Sequence, residues 1–362
     1  MRRIARRIQR RTRHGVSARR FFLLACGVAA ASAAAASFAN GAVPIAPSQI
    51  AAILGAQLGI PPAWSFEPRQ EAVLLAIRLP RVLLGALTGA VLAVAGAAVQ
   101  GLLRNPLADP ALLGISAGAA LAAAATIVCA PALPVAIAGW AAWTLLPVTA
   151  FTGAVAATAI VHRLANRNGH TSVATVLLAG IAINAIAGAG TGLLAHLATD
   201  AQLRDITFWT LGSLAGATWP SLAVAAPMLA AALLLARPLV PALDLLLLGE
   251  SEARHLGVDV EAVKRRIVLL VGLGVGAAVS ITGIIGFVGL VVPHVVRLIA
   301  GPTHRTVLPA SALLGAALLL AADLASRTAV APAELPIGVL TGLIGGPFFL
   351  WLLTRNRAAA WV

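Results

Sequence analysis

The sequence predicts an all-α integral membrane protein with about ten membrane-spanning helices per subunit, and three observations support this. Of the 362 residues, 60% are hydrophobic and only 10% are charged. The mean hydropathy of +0.95 is far from that of a water-soluble domain. Unbroken apolar runs of about twenty residues, rich in Ala, Leu and Gly, recur along the chain. At ~1.5 Å of rise per residue, each is long enough to cross a ~30 Å hydrocarbon core as a helix. Strands of a membrane barrel would instead alternate apolar and polar residues over roughly ten positions.

The first element is an Arg-rich tail, residues 1–20. It holds nine arginines, Arg2, Arg3, Arg6, Arg7, Arg10, Arg11, Arg13, Arg19 and Arg20, so most of the net charge of +14 sits directly before a membrane span. Such a tail is a cytoplasmic anchor attracted to anionic lipid, and nucleic acid is not an expected partner. Arg19-Arg20-Phe21-Phe22-Leu23 also resembles a twin-arginine export signal. That alternative suits folded soluble cargo better than a chain that stays hydrophobic nearly to its end.

The membrane body, 21–354, divides at charges, prolines and glycines. Its spans are 21–40, 80–102, 109–129, 135–161, 173–197, 220–240, 267–283, 287–301, 306–325 and 336–353. Residues 267–301 are too many for one helix, and Gly283 to Gly289 supply the break. Residues 202–218 predict a short helix at the outer surface, where Arg204, Asp205, Trp209 and Trp219 mark an interface. A short cytoplasmic tail, 355–362, closes the chain.

In the second span Gly85, Gly89, Ala93, Ala97 and Gly101 recur every fourth residue. One helix face is thus nearly free of side-chain bulk, so another helix can approach closely, and this span is expected to be the inner helix of a transporter. Ten spans return the C-terminus to the side of the N-terminus. Twenty-one basic residues fall on the segments then assigned to the inside. Five, Arg69, Arg78, Arg81, Arg204 and Arg327, fall outside. Both termini are therefore expected in the cytoplasm.

Resident chemistry has little support. Cys26 and Cys129 lie in Ala-rich apolar surroundings, so neither a disulfide framework nor a metal site is expected. A Walker A loop needs a lysine after its glycines, and the only lysine, Lys264, sits in Glu-Ala-Val-Lys-Arg-Arg. No HExxH, GxSxG or paired-carboxylate arrangement falls within a plausible cleft. The chain is not expected to be an enzyme or to bind a cofactor. If ATP energises transport, a separate subunit binds it with magnesium.

The longest polar inner segment runs from Arg237 to Arg266. Glu250, Glu252, Arg254, Asp259 and Glu261 surround a small helix that should end at Gly257. Two readings fit: a docking knob for a cytoplasmic partner, or a solvated loop with routine i,i+4 pairing.

Several motifs in order resemble the FecCD family, the permeases of ATP-driven importers for ferric siderophores, haem and cobalamin. They are Arg78-Leu-Pro-Arg81, Asn105-Pro-Leu-Ala-Asp-Pro110 with Leu113-Gly-Ile-Ser-Ala-Gly118, and Gly249-Glu-Ser-Glu-Ala-Arg-His-Leu-Gly257. Gly286-Phe-Val-Gly-Leu-Val-Val-Pro-His-Val-Val-Arg297 and Glu334-Leu-Pro-Ile-Gly338 complete the set. The resemblance covers roughly residues 70 to 353.

It implies the permease fold of type II ABC importers, in the bacterial inner membrane. The partners it implies are a second copy, two cytoplasmic ATPase subunits and a periplasmic binding protein. Gly249, Glu250, Ser251, Glu252, Ala253, Arg254, His255, Leu256 and Gly257 then match the helix that couples to the ATPase, within a cytoplasmic segment 249–266. Arg78, Arg81 and Arg327 match outer arginines that receive carboxylates of the binding protein, although arginines also snorkel from helix ends. Asn105, Pro106 and Leu107, with Thr171 and Ser172, become candidates for a cytoplasmic gate, although Thr or Ser could simply cap the following helix.

The run from Asp200 to Leu214 resembles haem importers more than cobalamin ones. Haem is therefore the expected cargo, with a ferric siderophore or cobalamin as alternatives. His294 and Arg297 belong to the shared motif and read as structural. His196 is the one histidine near the outer end of an expected path-lining span, where it serves either as a packing residue or as a transient haem ligand. An ion-driven transporter is the rival of a different class. It needs carboxylates or histidines inside spans, and beyond Asp109 at the very start of its span, Asp323, near an outer end, is the only acidic residue there.

Overall fold

Inside a bilayer no water satisfies backbone N–H and C=O groups, and helices meet that demand within each segment. The computed structural model describes residues 2–130, 135–167 and 170–357; the side chains of residues 2–17, 135–143, 167, 170, 352, 353 and 355–357 are also outside the description. The side chains of Arg2 to Arg13 and most of the tail 355–362 therefore lie outside the described residues.

The first half of the chain runs α1 (Arg2–Ala39), α2 (Pro47–Gln57), α3 (Pro68–Ala72), α4 (Leu79–Leu103), α5 (Ile115–Cys129) and α6 (Val135–Ala165). A small hairpin follows, β1 (Asn166–Arg167) with β2 (His170–Thr171), and then α7 (Val173–Leu197) and α8 (Asp200–Leu211). The second half runs α9 (Trp219–Ala236), α10 (Val240–Leu246), α11 (Glu250–His255), α12 (Val260–Leu270), α13 (Gly276–Thr282), α14 (Val288–Ala300), α15 (His304–Thr328) and α16 (Ile337–Arg357). Among the described residues, seven helical stretches are long and apolar enough to cross a membrane, and three shorter apolar helices, 115–129, 288–300 and 337–351, accompany them. Each of the ten expected spans has its helix. The end that gathers Arg78, Asp323 and Glu334 is termed outer, and the end bearing α11 inner, after the charge bias of the sequence.

The helix of the second span is longer than the apolar run that reveals it. From Pro68 to Leu103 it is continuous, with a wider π turn at Val73–Arg78. Pro80 has no N–H to give the carbonyl four residues back, and a widened turn just before it accommodates that loss. The outer segment also holds α2, which lacks a long apolar run. Its Ala52 and Ile53 are buried, and Ile53 joins Ile45 and Leu74 in a small satellite core.

At the inner end α12 begins at Val260 rather than at 267. The Asp259 carboxylate accepts the Ala262 N–H at 2.9 Å and caps it. Val260, Val263, Ile267 and Leu270 are buried while Arg265 and Arg266 are exposed, so the first turns are amphipathic and average hydropathy hides them. The expected break in 267–301 occurs at Gly283, where φ is +69°, and Phe287, where φ is +66°. The 109–129 segment is divided too, because Gly114, at φ +78°, separates a 3-10 turn at Pro110–Leu113 from α5.

α4 occupies the centre. In its most apolar stretch 83% of residues are buried, against 11% for α1, which places α4 inside the bundle and α1 at its rim. The small residues of α4 serve two neighbours. Gly89, on the ladder, packs on the backbone of Gly315 in α15, whereas Gly96, about two turns further along and off the ladder, packs on the carbonyl of Gly289 in α14. Gln100, one turn below, donates to Leu290 O at 3.1 Å. Arg297 of α14 bonds back to Gln100 Oε1 and reaches Ala97 O at 3.0 Å, which ties α14 to α4 by polar bonds as well as by contact.

Candidate transport and coupling site

At the outer end the three arginines singled out in the sequence, Arg78, Arg81 and Arg327, turn inward. Arg81 lies under the head of α4, where Nε donates to Asp323 Oδ1 at 2.9 Å, and Nη1 and Nη2 form a fork on Glu334 at 3.0 and 2.8 Å. The Asp323 side chain is 1% exposed and that of Glu334 is 37% exposed. Arg78 donates to the carbonyls of Phe38, Ala39 and Val43. Arg327 donates to Ser37 O at 2.6 Å and Asn40 O at 2.7 Å, with Nε 3.5 Å from Asp323. Arg78 and Arg327 thus pin the loop after α1, and the carboxylates that meet Arg81 come from this chain itself.

A cavity of about 480 Å³ opens beside the group and is lined by Arg78, Arg81, Arg327, Asp323 and Glu334. Hydrogen bonds from Arg81 hold the Glu334 carboxyl below its usual pKa, against partial burial that pushes it up.

At the inner end the expected coupling segment forms α11. Gly249 precedes it at φ +130°, and Gly257 follows at φ +87°, a left-handed residue just past the helix as the sequence predicted. Ala253 is buried and anchors the turn. Ser251, Glu252, Arg254, His255, Leu256 and Gly257 are exposed, and Leu247, Leu248 and Leu256 add apolar area to that surface.

Glu250 is different, because it turns toward Lys264. The lysine is 3% exposed, and its Nζ donates to Thr171 O at 2.8 Å, Glu250 Oε2 at 3.0 Å and Glu261 Oε1 at 3.1 Å. Glu261 in turn accepts the Thr171 N–H at 3.1 Å and a bond from Arg254 at 3.3 Å. A single buried ammonium therefore joins α11, α12 and the hairpin that leads into α7, with its three donors matched to three acceptors.

The gate candidates divide into two places. In the turn after α4, Asn105 Oδ1 accepts the Leu107 N–H at 2.9 Å and Asp109 accepts that of Ala111 at 2.8 Å, so this is a self-capped turn with Asn105 and Pro106 exposed. Thr171 is buried in the Lys264 network. Ser172 caps α7 by accepting the Thr175 N–H at 3.3 Å. His196 is exposed in the last turn of α7. His294 is buried with its ring 6.4 Å from that of Phe348 in an edge arrangement.

Sequence reasoning did not find the partners of Arg81 or the reach of Lys264. The i,i+4 pairing of Asp323 with Arg327 and the i,i+3 pairing of Glu261 with Lys264 were available local signals. The Arg81–Asp323 contact spans 242 residues and had none.

Known proteins share this architecture. A permease of the hemin transport system, HmuU of Yersinia pestis, is 50% identical over 283 residues, covering 78% of this chain and 83% of its own. The cobalamin import permease BtuC of Halobacterium salinarum is 40% identical over 322 residues, covering 89% and 82%. A solved chain assigned to the metal-chelate type of ABC transporter, in an inward-facing conformation, superposes with a TM-score of 0.77 at 28% identity over 92% of this chain and 98% of that one. Since the FecCD transport family also matches residues 15–355, the chain belongs to that family and is a multi-pass permease of the ABC importer class.

Proposed function

We propose that this chain moves haem across a bacterial inner membrane by alternating access, as one half of a homodimer with both termini in the cytoplasm. Two cytoplasmic ATPase subunits energise it and a periplasmic binding protein delivers the cargo. The observation that carries this reading is the Lys264 network, because it connects an exposed helix suited to partner docking with the head of a membrane-spanning helix. A push on α11 reaches α7 through Glu250, Lys264 and Thr171 without crossing solvent. The turn from Asn105 to Leu107 and the Thr171-Ser172 pair lie at the inner ends of α4 and α7, where closing the path to the cytoplasm requires them.

At the outer end the binding protein docks by exchange. Its carboxylate displaces Glu334, the half-exposed partner, from the Arg81 fork while Asp323 stays. Arg78 and Arg327 add positive charge around the cavity that steers the approach. Asp323 is already held between Arg81 and Arg327, which speaks against a freely titrating carboxylate of an ion-driven transporter.

Haem is favoured over cobalamin by the higher identity to the hemin permease. Low-charge, Ala- and Gly-rich walls also suit a large planar cargo. His196 is placed where it can meet such a cargo near the outer end of α7. The test is ATP-dependent uptake into vesicles holding this chain, its ATPase and its binding protein. Haem uptake at least tenfold above that of a ferric siderophore or cobalamin is expected, and uptake of cobalamin alone overturns the cargo.

In the same vesicles Lys264→Met should reduce transport on the order of tenfold, since each hydrogen bond to a charged group is worth about 1.5–3 kcal/mol. The variant should still reach the membrane. Uptake at the wild-type rate removes Lys264 from the coupling path.

A further inference from the structure

A second cavity, of about 660 Å³, lies at the inner ends of α1, α9, α10 and α15, away from both sites described above. Three arginines frame it: Arg19 from α1, Arg237 from the turn between α9 and α10, and Arg305 from the first turn of α15. All three are exposed. The wall behind them is apolar, formed by Val94, Leu233, Leu308 and Leu313.

No carboxylate lines the cavity among the described residues. Asp244, three residues beyond Pro241 of the lining, turns instead to His304, whose Nδ1 lies 3.1 Å away.

The arrangement is built into the local sequence. Pro309 lacks the N–H that would close the helix bond to the carbonyl of Arg305 four residues back. Arg19 uses that carbonyl, donating from Nη2 at 2.8 Å. One guanidinium is thereby fixed at the rim with most of its donors unspent.

We propose that this cavity binds an anionic phospholipid of the cytoplasmic leaflet, with its phosphate held by Arg19, Arg237 and Arg305 and its acyl chains on the Val94 to Leu313 wall. Charge complementarity selects the occupant. Guanidinium forks bind phosphate oxygens with charge-assisted bonds, and basic pockets between spanning helices on the cytoplasmic side suit acidic headgroups. The apolar wall selects a tailed phosphate over a free one, since acyl chains cover a surface that a free phosphate leaves bare. The lipid would brace α1 against α15, and through α10 lie next to the segment that leads into α11. The leaflet rests on the proposed orientation, but binding can be read without any transport.

The test is native mass spectrometry of the purified full chain titrated with phosphatidylglycerol, with phosphatidylcholine as the neutral lipid and glycerol phosphate as the tailless anion. Phosphatidylglycerol should bind at least tenfold more tightly than phosphatidylcholine, and millimolar glycerol phosphate should leave it in place. The double variant Arg237→Gln/Arg305→Gln should lose that preference, while Arg265→Gln/Arg266→Gln, a matched loss of charge elsewhere on the inner end, should keep it. Ala312→Trp, which fills the cavity and leaves the arginines intact, should also abolish tight binding and guards against misfolding of the arginine variant. Equal loss in the two arginine pairs, displacement by glycerol phosphate, or full binding to the Trp variant each overturns the proposal.

Discussion

Replacing Arg81 by Leu is expected to destabilise the protein by about 3–5 kcal/mol, because it takes from a buried carboxylate the cation that is hydrogen-bonded to it and leaves only the longer contact to Arg327. Asp323 is 1% exposed, so water cannot take the place of the lost guanidinium. Arg327 is nearest among the other cations, but its Nη atoms are committed to Ser37 O and Asn40 O, and its Nε stays 3.5 Å from the carboxylate. The penalty therefore belongs mainly to the stranded charge and not to the lost bond to Glu334, which can turn toward solvent. Changing both residues, Arg81→Leu with Asp323→Leu, should recover most of the stability, since a desolvated pair and an apolar pair of similar volume are close in free energy. Thermal unfolding of the wild type, the single variant and the double variant in one detergent measures this. A single variant as stable as the double would show that Asp323 is not stranded and that the pairing is incidental.

Gly96→Ala should be among the most damaging single methyls in the membrane core. A Cβ there falls on the carbonyl of Gly289, and that obstacle is backbone with no rotamer to change. Overpacking typically costs about 1–3 kcal/mol, and the upper end applies where neither helix can yield without shifting. The Gln100 bond to Leu290 O and the Arg297 bonds to Gln100 and Ala97 sit one turn below, so a displaced α14 breaks them as well. Gly27→Ala in α1, whose new Cβ meets nothing within 4 Å, is the matched control and should be neutral or slightly stabilising. Unfolding temperatures that fall equally in the two variants would mean that helix-wide effects, and not the α4–α14 contact, set the result.

The ten spans were legible because a span is a local property. About twenty apolar residues bounded by charge or proline suffice, whatever the rest of the chain does. The α11 segment was legible for a similar reason, since its acidic start and terminal glycine define a capped turn. The same window blurred α12, whose first turns carry Glu261, Lys264, Arg265 and Arg266 on one side and a buried apolar stripe on the other. It missed α2, which is stabilised by the satellite core around Ile53 and not by its own hydropathy. The ladder from Gly85 to Gly101 correctly announced a close approach. It did not reveal that Gly96, off that ladder, admits a second helix.

The sequence by itself determined that this protein lives in a membrane, which segments form its spanning helices and that a short capped helix forms at Glu250–His255. Hydropathy, charge bias and capping all act over a few residues, and any segment carrying them behaves alike. Only the tertiary structure decided what the motif arginines do. Arg81 meets Asp323 and Glu334 across 242 and 253 residues, and Lys264 gathers Thr171 from 93 residues away. Whether a charge reaches out to a partner or closes a clasp within its own chain depends on distances of about 3 Å in a desolvated site, where Coulomb attraction and desolvation are both large and nearly opposed. Packing alone sets those distances.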